Sequence, residues 1–116
     1  MDEETARRMC SLIAGVVCSD GTMSADEREF LKRVMVQCGL PTDTALMPTY
    51  REDAAAELAE LPAAVREQTL ELVILAAAVD GRITPDERAL IDAIAAPLGM
   101  DEGAVLARLG AALDAS

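Results

Sequence analysis

The sequence predicts an all-α domain made of duplicated helix-turn-helix units, and two observations support this prediction. The stretch Asp20–Leu31, DGTMSADEREFL, returns sixty residues later as Asp80–Ile91, DGRITPDERALI. Apolar residues recur at helical spacing around both stretches, and no stretch alternates apolar and polar residues long enough to suggest a sheet. We therefore expect about seven helices in one domain, 1–116, with internal repeats at about 9–40 and 69–100 that pack with pseudo-twofold symmetry around one core.

The expected helices follow from start signals, stop signals and apolar spacing. The apolar helix that Pro62 opens should be the central element and pack against the first helix. The region before it is the least regular, and we expect two short helices there, divided near Pro48 to Arg51. The expected helices are Glu3–Ser19, Ala25–Cys38, two within Thr42–Leu61, Pro62–Val79, Asp86–Pro97 and Glu102–Leu113.

Each repeated stretch carries the signals of a helix boundary. A hydroxyl residue is followed three positions later by glutamate, which is the capping-box pattern: the hydroxyl accepts from a backbone N–H and the glutamate accepts from another. A glycine ahead of the box permits the positive φ with which helices commonly end. The residues concerned are Gly21, Ser24 and Glu27 in the first copy and Gly81, Thr84 and Glu87 in the second.

Two charged residues in each copy interact unfavourably with the helix dipoles. Asp20 and Asp80 follow the negative end of one helix, whereas Arg28 and Arg88 lie in or near the positive first turn of the next. If Asp20 pairs with Arg28 and Asp80 with Arg88, the two unfavourable placements offset each other. This pairing is the purely structural interpretation of the repeated charges.

The glycine and glutamate of each copy also resemble the end of an EF-hand calcium loop. The first and third ligand positions of such a loop would fall on Val16 and Cys18, and on Ala76 and Ala78 in the second copy. None of these residues has an oxygen-bearing side chain. The sequence therefore argues against an EF-hand.

The motif and its surroundings resemble a known family. Two copies of D-G-x-(apolar)-(S/T)-x-x-E, each after an apolar helix, look like the TerB-like domain of tellurite-resistance TerB and its relatives, over nearly the whole chain. The resemblance implies an all-helical, pseudo-twofold cytoplasmic domain, associated with tellurite and other stress resistance or with co-chaperone architectures, and proposed to sense or bind metal. Its motif acids map onto Asp20, Glu27, Asp80 and Glu87.

Composition excludes several classes of function. A formal net charge of −11 opposes binding to nucleic acid or to anionic membranes, and it suits cations or a basic protein surface. The chain has no histidine, so Ser-His and Cys-His catalysis are excluded and we expect no enzyme. No long uncharged apolar run and no signal peptide are present, which predicts no membrane span and a cytoplasmic location.

The three cysteines, Cys10, Cys18 and Cys38, form no C-x-x-C pair. Their apolar neighbours favour buried, reduced thiols that act as small hydrophobic side chains. The alternative is a thiol that meets tellurite or a soft metal. Within one helix, only Cys10 and Cys18 could cooperate.

Two function hypotheses remain. In the first, the chain is a metal-responsive or stress-resistance module: if the two turns lie side by side, their acids converge and suit a divalent cation such as calcium, magnesium or manganese. In the second, it is an acidic helical adaptor or co-chaperone-like domain that docks a basic protein or a copy of itself, and the repeated motif is structural. The acids of the first hypothesis are Asp20, Asp26, Glu27, Asp80, Asp86 and Glu87; those of the second include Glu52, Asp53, Glu57 and Glu60.

Overall fold

The fold is all-α, as predicted. The structure, a computed structural model, describes residues 2–18, 21, 23–46, 48–49, 51–79, 81 and 83–115, without the side chains of residues 51, 52 and 115. These residues form α1 (Glu3–Val17), α2 (Ala25–Gln37), α3 (Arg51–Ala59), α4 (Ala63–Ala78), α5 (Pro85–Ala95), a 3-10 helix (Ala96–Leu98) and α6 (Glu102–Ala115). No strand occurs among them.

Polar side chains fix where several helices begin. The Asp2 carboxylate accepts a hydrogen bond of 2.7 Å from the Thr5 N–H at the start of α1. At the start of α6, the Asp101 carboxylate accepts one of 2.8 Å from the Ala104 N–H. These bonds satisfy N–H groups that have no partner within the first turn of a helix, so they set the starting residue of each helix.

The core is built around α1 and α4, which pack on each other as expected. α1 packs on α2, α3, α4 and α5, and α4 also packs on α2, α5 and α6. None of the described helices combines the length and the apolar character that a membrane crossing requires. The largest fully buried side chains are Met9, Leu12, Ile13, Val16, Val17, Leu58, Leu61, Leu70, Val73, Ile91, Ile94 and Val105.

The segment between α2 and α3 differs from the prediction. Of the two short helices expected within Thr42–Leu61, only the second is present in the described residues, so the seven-helix count is not confirmed. Instead, the segment crosses α1, where the Thr49 N–H donates a hydrogen bond of 3.1 Å to the Ser11 carbonyl oxygen. The Thr49 N–H, at the point where the two short helices were expected to divide, therefore finds its partner on α1.

The crossing depends on a glycine in the middle of α1. A Cβ atom added to Gly15 would overlap the carbonyl oxygen of Thr49. Because the overlapping atom belongs to the backbone, it cannot move away as a side-chain end could. Gly15 therefore permits the close approach of the two backbones.

Candidate functional site

The repeated stretches form two corners of the same local geometry. In the α1–α2 corner, the Glu27 N–H donates to Ser24 Oγ at 3.1 Å and the Ser24 N–H donates to Glu27 Oε1 at 3.0 Å. In the α4–α5 corner, the corresponding distances between Thr84 and Glu87 are 3.1 and 2.9 Å. Both predicted capping boxes are therefore confirmed. The predicted positive φ is also confirmed, at +89° for Gly21 and +79° for Gly81.

The two motif glutamates act as capping residues at the starts of their helices. Glu27 is only 6% exposed and Glu87 only 5%, and Oε1 of each accepts the backbone bond described above. Asp26 and Asp86, one residue earlier, are exposed. Within the described part of the chain, no group of three or more Asp, Glu or Cys side chains is placed to hold a metal ion.

Two residues of the predicted metal site, Asp20 and Asp80, lie outside the described residues. The complete set of Asp20, Glu27, Asp80 and Glu87 therefore remains a prediction, as do the expected pairs of Asp20 with Arg28 and of Asp80 with Arg88. The described residues show that the boxes already use Glu27 and Glu87.

Arg88 joins the α4–α5 corner to α6. Its Nε lies 3.4 Å from an Asp92 carboxylate oxygen, and its Nη2 lies 3.8 Å from one of Glu102. The Glu102 side chain is 81% exposed, so this contact adds little stability. The two contacts hold the partly buried Arg88 guanidinium beside the space between α5 and α6.

That space is an apolar groove of about 410 Å³. Leu106, on α6, is 53% exposed at this position. Exposed large apolar side chains that line a concavity are typical of binding surfaces rather than of ordinary protein surface. This α5–α6 groove is lined by Ile83, Thr84, Pro85, Arg88, Leu106, Leu109, Gly110 and Leu113.

Gly110 keeps part of the α5–α6 groove open. A Cβ atom added there would meet no atom of the described residues within 4 Å, and its φ is not positive. The fold therefore does not require a glycine at this position, in contrast to Gly15. Glycine inside a helix costs about 0.8–1.0 kcal/mol relative to alanine. The absence of a side chain at Gly110 leaves room between Leu106 and Leu113, which lie one helical turn before and after it.

Arg88 is the charged residue among those that line the α5–α6 groove. Asp86 and Asp114 are exposed and follow the lining residues Pro85 and Leu113 in the chain. The formal net charge of the whole chain is −11, so the protein as a whole is strongly acidic. A partner segment that carries both apolar and basic side chains would complement this surface.

A second cavity of about 440 Å³ lies between α1 and α3, in the region of the predicted acidic interaction face. Arg8 lies 3.2 Å from a Glu4 carboxylate oxygen and 3.0 Å from one of Glu57. Asp53 and Glu60 are exposed, whereas the Glu52 side chain lies outside the described residues. Because Arg8 pairs with Glu57, part of the predicted acidic face is neutralised by α1.

The cysteines lie in or beside the core, as their apolar neighbours predicted. Cys10 is buried, Cys18 and Cys38 are partly buried, and all three are free thiols. Burial, followed by the neighbouring Cys38, raises the pKa of Cys10 to about 12. Burial also raises the pKa of Cys38.

Comparisons of this chain with protein-family models, with curated proteins and with solved structures find no match. The resemblance to the TerB-like domain therefore stays a prediction from the repeated motif. Any function must be argued from the geometry of the described residues.

Proposed function

We propose that this chain is a non-enzymatic helical protein-interaction domain, and that its α5–α6 groove binds a basic partner segment through apolar anchors. The observation that supports this proposal best is Gly110. A glycine that the fold does not need lowers the stability of α6 and keeps an apolar groove open. The simplest reason for such an arrangement is that an apolar side chain of a partner occupies the space.

The chemistry of the α5–α6 groove suits an amphipathic helical segment. Leu106, Gly110 and Leu113 follow one another at the spacing of a single helix face, which is the usual floor for a second helix. Apolar side chains of the partner would bury Leu106, and its basic side chains would lie against Asp86, Glu102 and Asp114. The apolar contacts would supply most of the affinity, whereas the charges would speed association and select basic partners.

We further propose that the chain is a TerB-like domain in the cytoplasm, with two related units in pseudo-twofold arrangement. Its role would be in stress or tellurite resistance or in a co-chaperone assembly. The shared box geometry of the two corners supports a duplicated origin. The divalent-metal hypothesis has less support. The boxes use one oxygen each of Glu27 and Glu87. α2 packs on α1 and α4, whereas α5 packs most extensively on α3 and also on α1, α4 and α6.

A titration with two model peptides tests the proposal. One is a Lys/Leu peptide with leucines at helical spacing, and the other has the same composition in scrambled order. Backbone NMR shifts of the full chain report where each peptide binds. We expect only the first peptide to shift the resonances of Leu106, Leu109 and Leu113 in a saturable way, with a dissociation constant on the order of micromolar.

Substitutions on α6 separate recognition from general charge attraction. Gly110→Leu fills the α5–α6 groove and should weaken binding at least about tenfold, which corresponds to about 1.4 kcal/mol. Gly103→Leu, on the same helix but not among the lining residues, is the matched control and should leave binding unchanged. Equal binding of the scrambled peptide, or insensitivity to Gly110→Leu, would reject the proposal. So would occupation of the α5–α6 groove by a second copy of the chain, which sedimentation of the free protein would reveal.

A further inference from the structure

A third cavity lies at the α1–α2 corner, apart from the α5–α6 groove. It has a volume of about 260 Å³ and is enclosed by α1, α2 and the segment that follows α2. Its wall includes the buried side chains of Ala14, Leu31 and Met35 and the partly buried side chain of Leu46. A concavity with an apolar wall and a few polar groups is the usual form of a small-molecule site. We refer to it as the α1–α2 cavity.

The charge of the α1–α2 cavity is opposite to that of the chain as a whole. The chain has 21 acidic and 10 basic residues. Arg28 and Lys32 line the cavity, whereas no Asp or Glu among the described residues does so. Both cations are exposed, and they are neighbours one helical turn apart on α2. Lys32 Nζ lies 3.9 Å from a carboxylate oxygen of Glu29, but the Glu29 side chain is 67% exposed, so this ion pair is weak.

The second repeat shows that this corner can be built without two cations. Sixty residues later, Arg88 stands in the place of Arg28, but Asp92 stands in the place of Lys32. Arg88 Nε lies 3.4 Å from an Asp92 carboxylate oxygen, so α5 supplies an anion for its own arginine. In α2, the same spacing instead places two like charges side by side, which weakens a helix slightly. An anion that binds to both cations accounts for this difference between the repeats.

The segment that covers the α1–α2 cavity is held at both of its ends. The Leu40 N–H donates to the Met35 carbonyl oxygen at 2.8 Å, and the Thr49 N–H donates to the Ser11 carbonyl oxygen at 3.1 Å. The cavity is therefore formed before a ligand arrives. A preformed site binds more tightly than one that the ligand must first order.

We propose that the α1–α2 cavity binds a small carboxylate that carries a short unbranched apolar chain. The apolar chain would lie against Leu31, Met35 and Leu46, and the carboxylate would accept hydrogen bonds from Arg28 and Lys32. Hydrogen bonds between charged groups are stronger than those between neutral groups. Ligand sites commonly measure about 300–1,000 Å³, so this cavity suits a chain of medium length such as that of octanoate.

A titration of the full chain with three small molecules tests both parts of the ligand. Octanoate has the chain and the charge, octanol has the chain alone, and butanoate has the charge with a shorter chain. Backbone NMR shifts report the position and the affinity of binding. We expect octanoate to shift the resonances of Leu31, Met35 and Leu46 in a saturable way, with a dissociation constant on the order of 0.1 mM. Octanol and butanoate should each bind at least about tenfold more weakly.

A charge reversal on α2 provides a matched pair of variants. Lys32→Asp reproduces the arrangement of the second repeat and should weaken octanoate binding at least about tenfold. Arg33→Asp changes the net charge equally at an exposed position that does not line the cavity, and it should leave binding within about twofold. Lys32→Arg keeps the charge and should also retain binding. All three substitutions lie at exposed positions, and circular dichroism verifies that each variant is folded.

Four results would overturn the proposal. They are equal binding of octanol and octanoate, equal binding of butanoate and octanoate, equal weakening by Lys32→Asp and Arg33→Asp, and no saturable shift with octanoate. Shifts of Leu106, Leu109 and Leu113 instead of the cavity residues would also overturn it, because octanoate would then occupy the α5–α6 groove. The binding of the Lys/Leu peptide to that groove is a separate measurement, so either proposal can fail without the other.

Discussion

Two regions of the molecule each place a glycine inside a helix, and the space beside that glycine differs between them. One region is the segment that crosses α1, and the other is α6, which packs beside α5. After α2, an extended stretch crosses α1 at Gly15 and fills the space that the missing side chain leaves. After α5, α6 packs on α4 and α5, and the space at Gly110 holds no atom of the described residues within 4 Å. Both glycines lie inside a helix at a cost in helix propensity. In the first case, the fold itself uses the space; in the second, we propose that a partner does.

The largest expected effect is that of Gly15→Ala. Helix propensity alone would make this change stabilising by about 1 kcal/mol. The added Cβ would instead push the Thr49 carbonyl away and break the Thr49–Ser11 hydrogen bond, so we expect a net loss of about 2–3 kcal/mol in the free energy of unfolding. Urea denaturation monitored by circular dichroism measures the change. A stabilised variant would show that the crossing segment does not depend on Gly15, and would remove the contrast with Gly110.

The two corners should respond equally to loss of their caps. Ser24→Ala and Thr84→Ala each remove one side-chain acceptor from a capping box, and we expect each to cost about 1 kcal/mol. The conservative variants Ser24→Thr and Thr84→Ser, which retain the acceptor, are the controls and should cost less. Losses in the free energy of unfolding that differ by more than about 1 kcal/mol would contradict this expectation. They would indicate that one of the two corners makes an additional interaction that the other lacks.

These corners are also the part of the structure that could be predicted from sequence. Capping boxes and positive-φ glycines depend on residues within a few positions of each other, so Ser24, Glu27, Thr84 and Glu87 were placed correctly. The helix bounds agree within about two residues for the same reason. Local signals determine local structure, and the all-α class follows from them.

Contacts between distant parts of the chain were not predicted. The first of the two short helices expected within Thr42–Leu61 is absent from the described residues, and the segment instead reaches α1 through the Thr49–Ser11 bond. This bond and the open space at Gly110 depend on how distant elements pack, which spacing along one helix does not reveal. The candidate site could therefore be identified only from the assembled fold.

A smaller effect is expected for Gly110→Ala. Alanine should stabilise α6 by about 0.8 kcal/mol, since its Cβ meets open space and its backbone entropy is lower. Gly103→Ala is the matched control in the first turn of α6, where the Cβ would contact an Asp101 carboxylate oxygen at an ordinary 3.5 Å and the gain should be smaller. Thermal unfolding of the three proteins compares them directly. A loss of stability in Gly110→Ala would mean that the fold needs this glycine, as it needs Gly15, and the main argument for the α5–α6 groove would fail.

The smallest expected effect is that of divalent metal ions, and it decides whether the corners or the α5–α6 groove carry the function. A site with a dissociation constant of 0.1 mM would stabilise the protein by about 1.4 kcal/mol at 1 mM ion, which is several degrees in melting temperature. Since Glu27 and Glu87 are buried in their capping boxes, we expect calcium and manganese to give no saturable heat in calorimetric titration. The shift in melting temperature should stay below about 1 °C relative to protein in chelator. Saturable heat in the wild type that disappears in Asp80→Asn would contradict this expectation. It would also show that the two corners bind a metal ion. The function would then depend on what the two corners share, and not on the open space at Gly110.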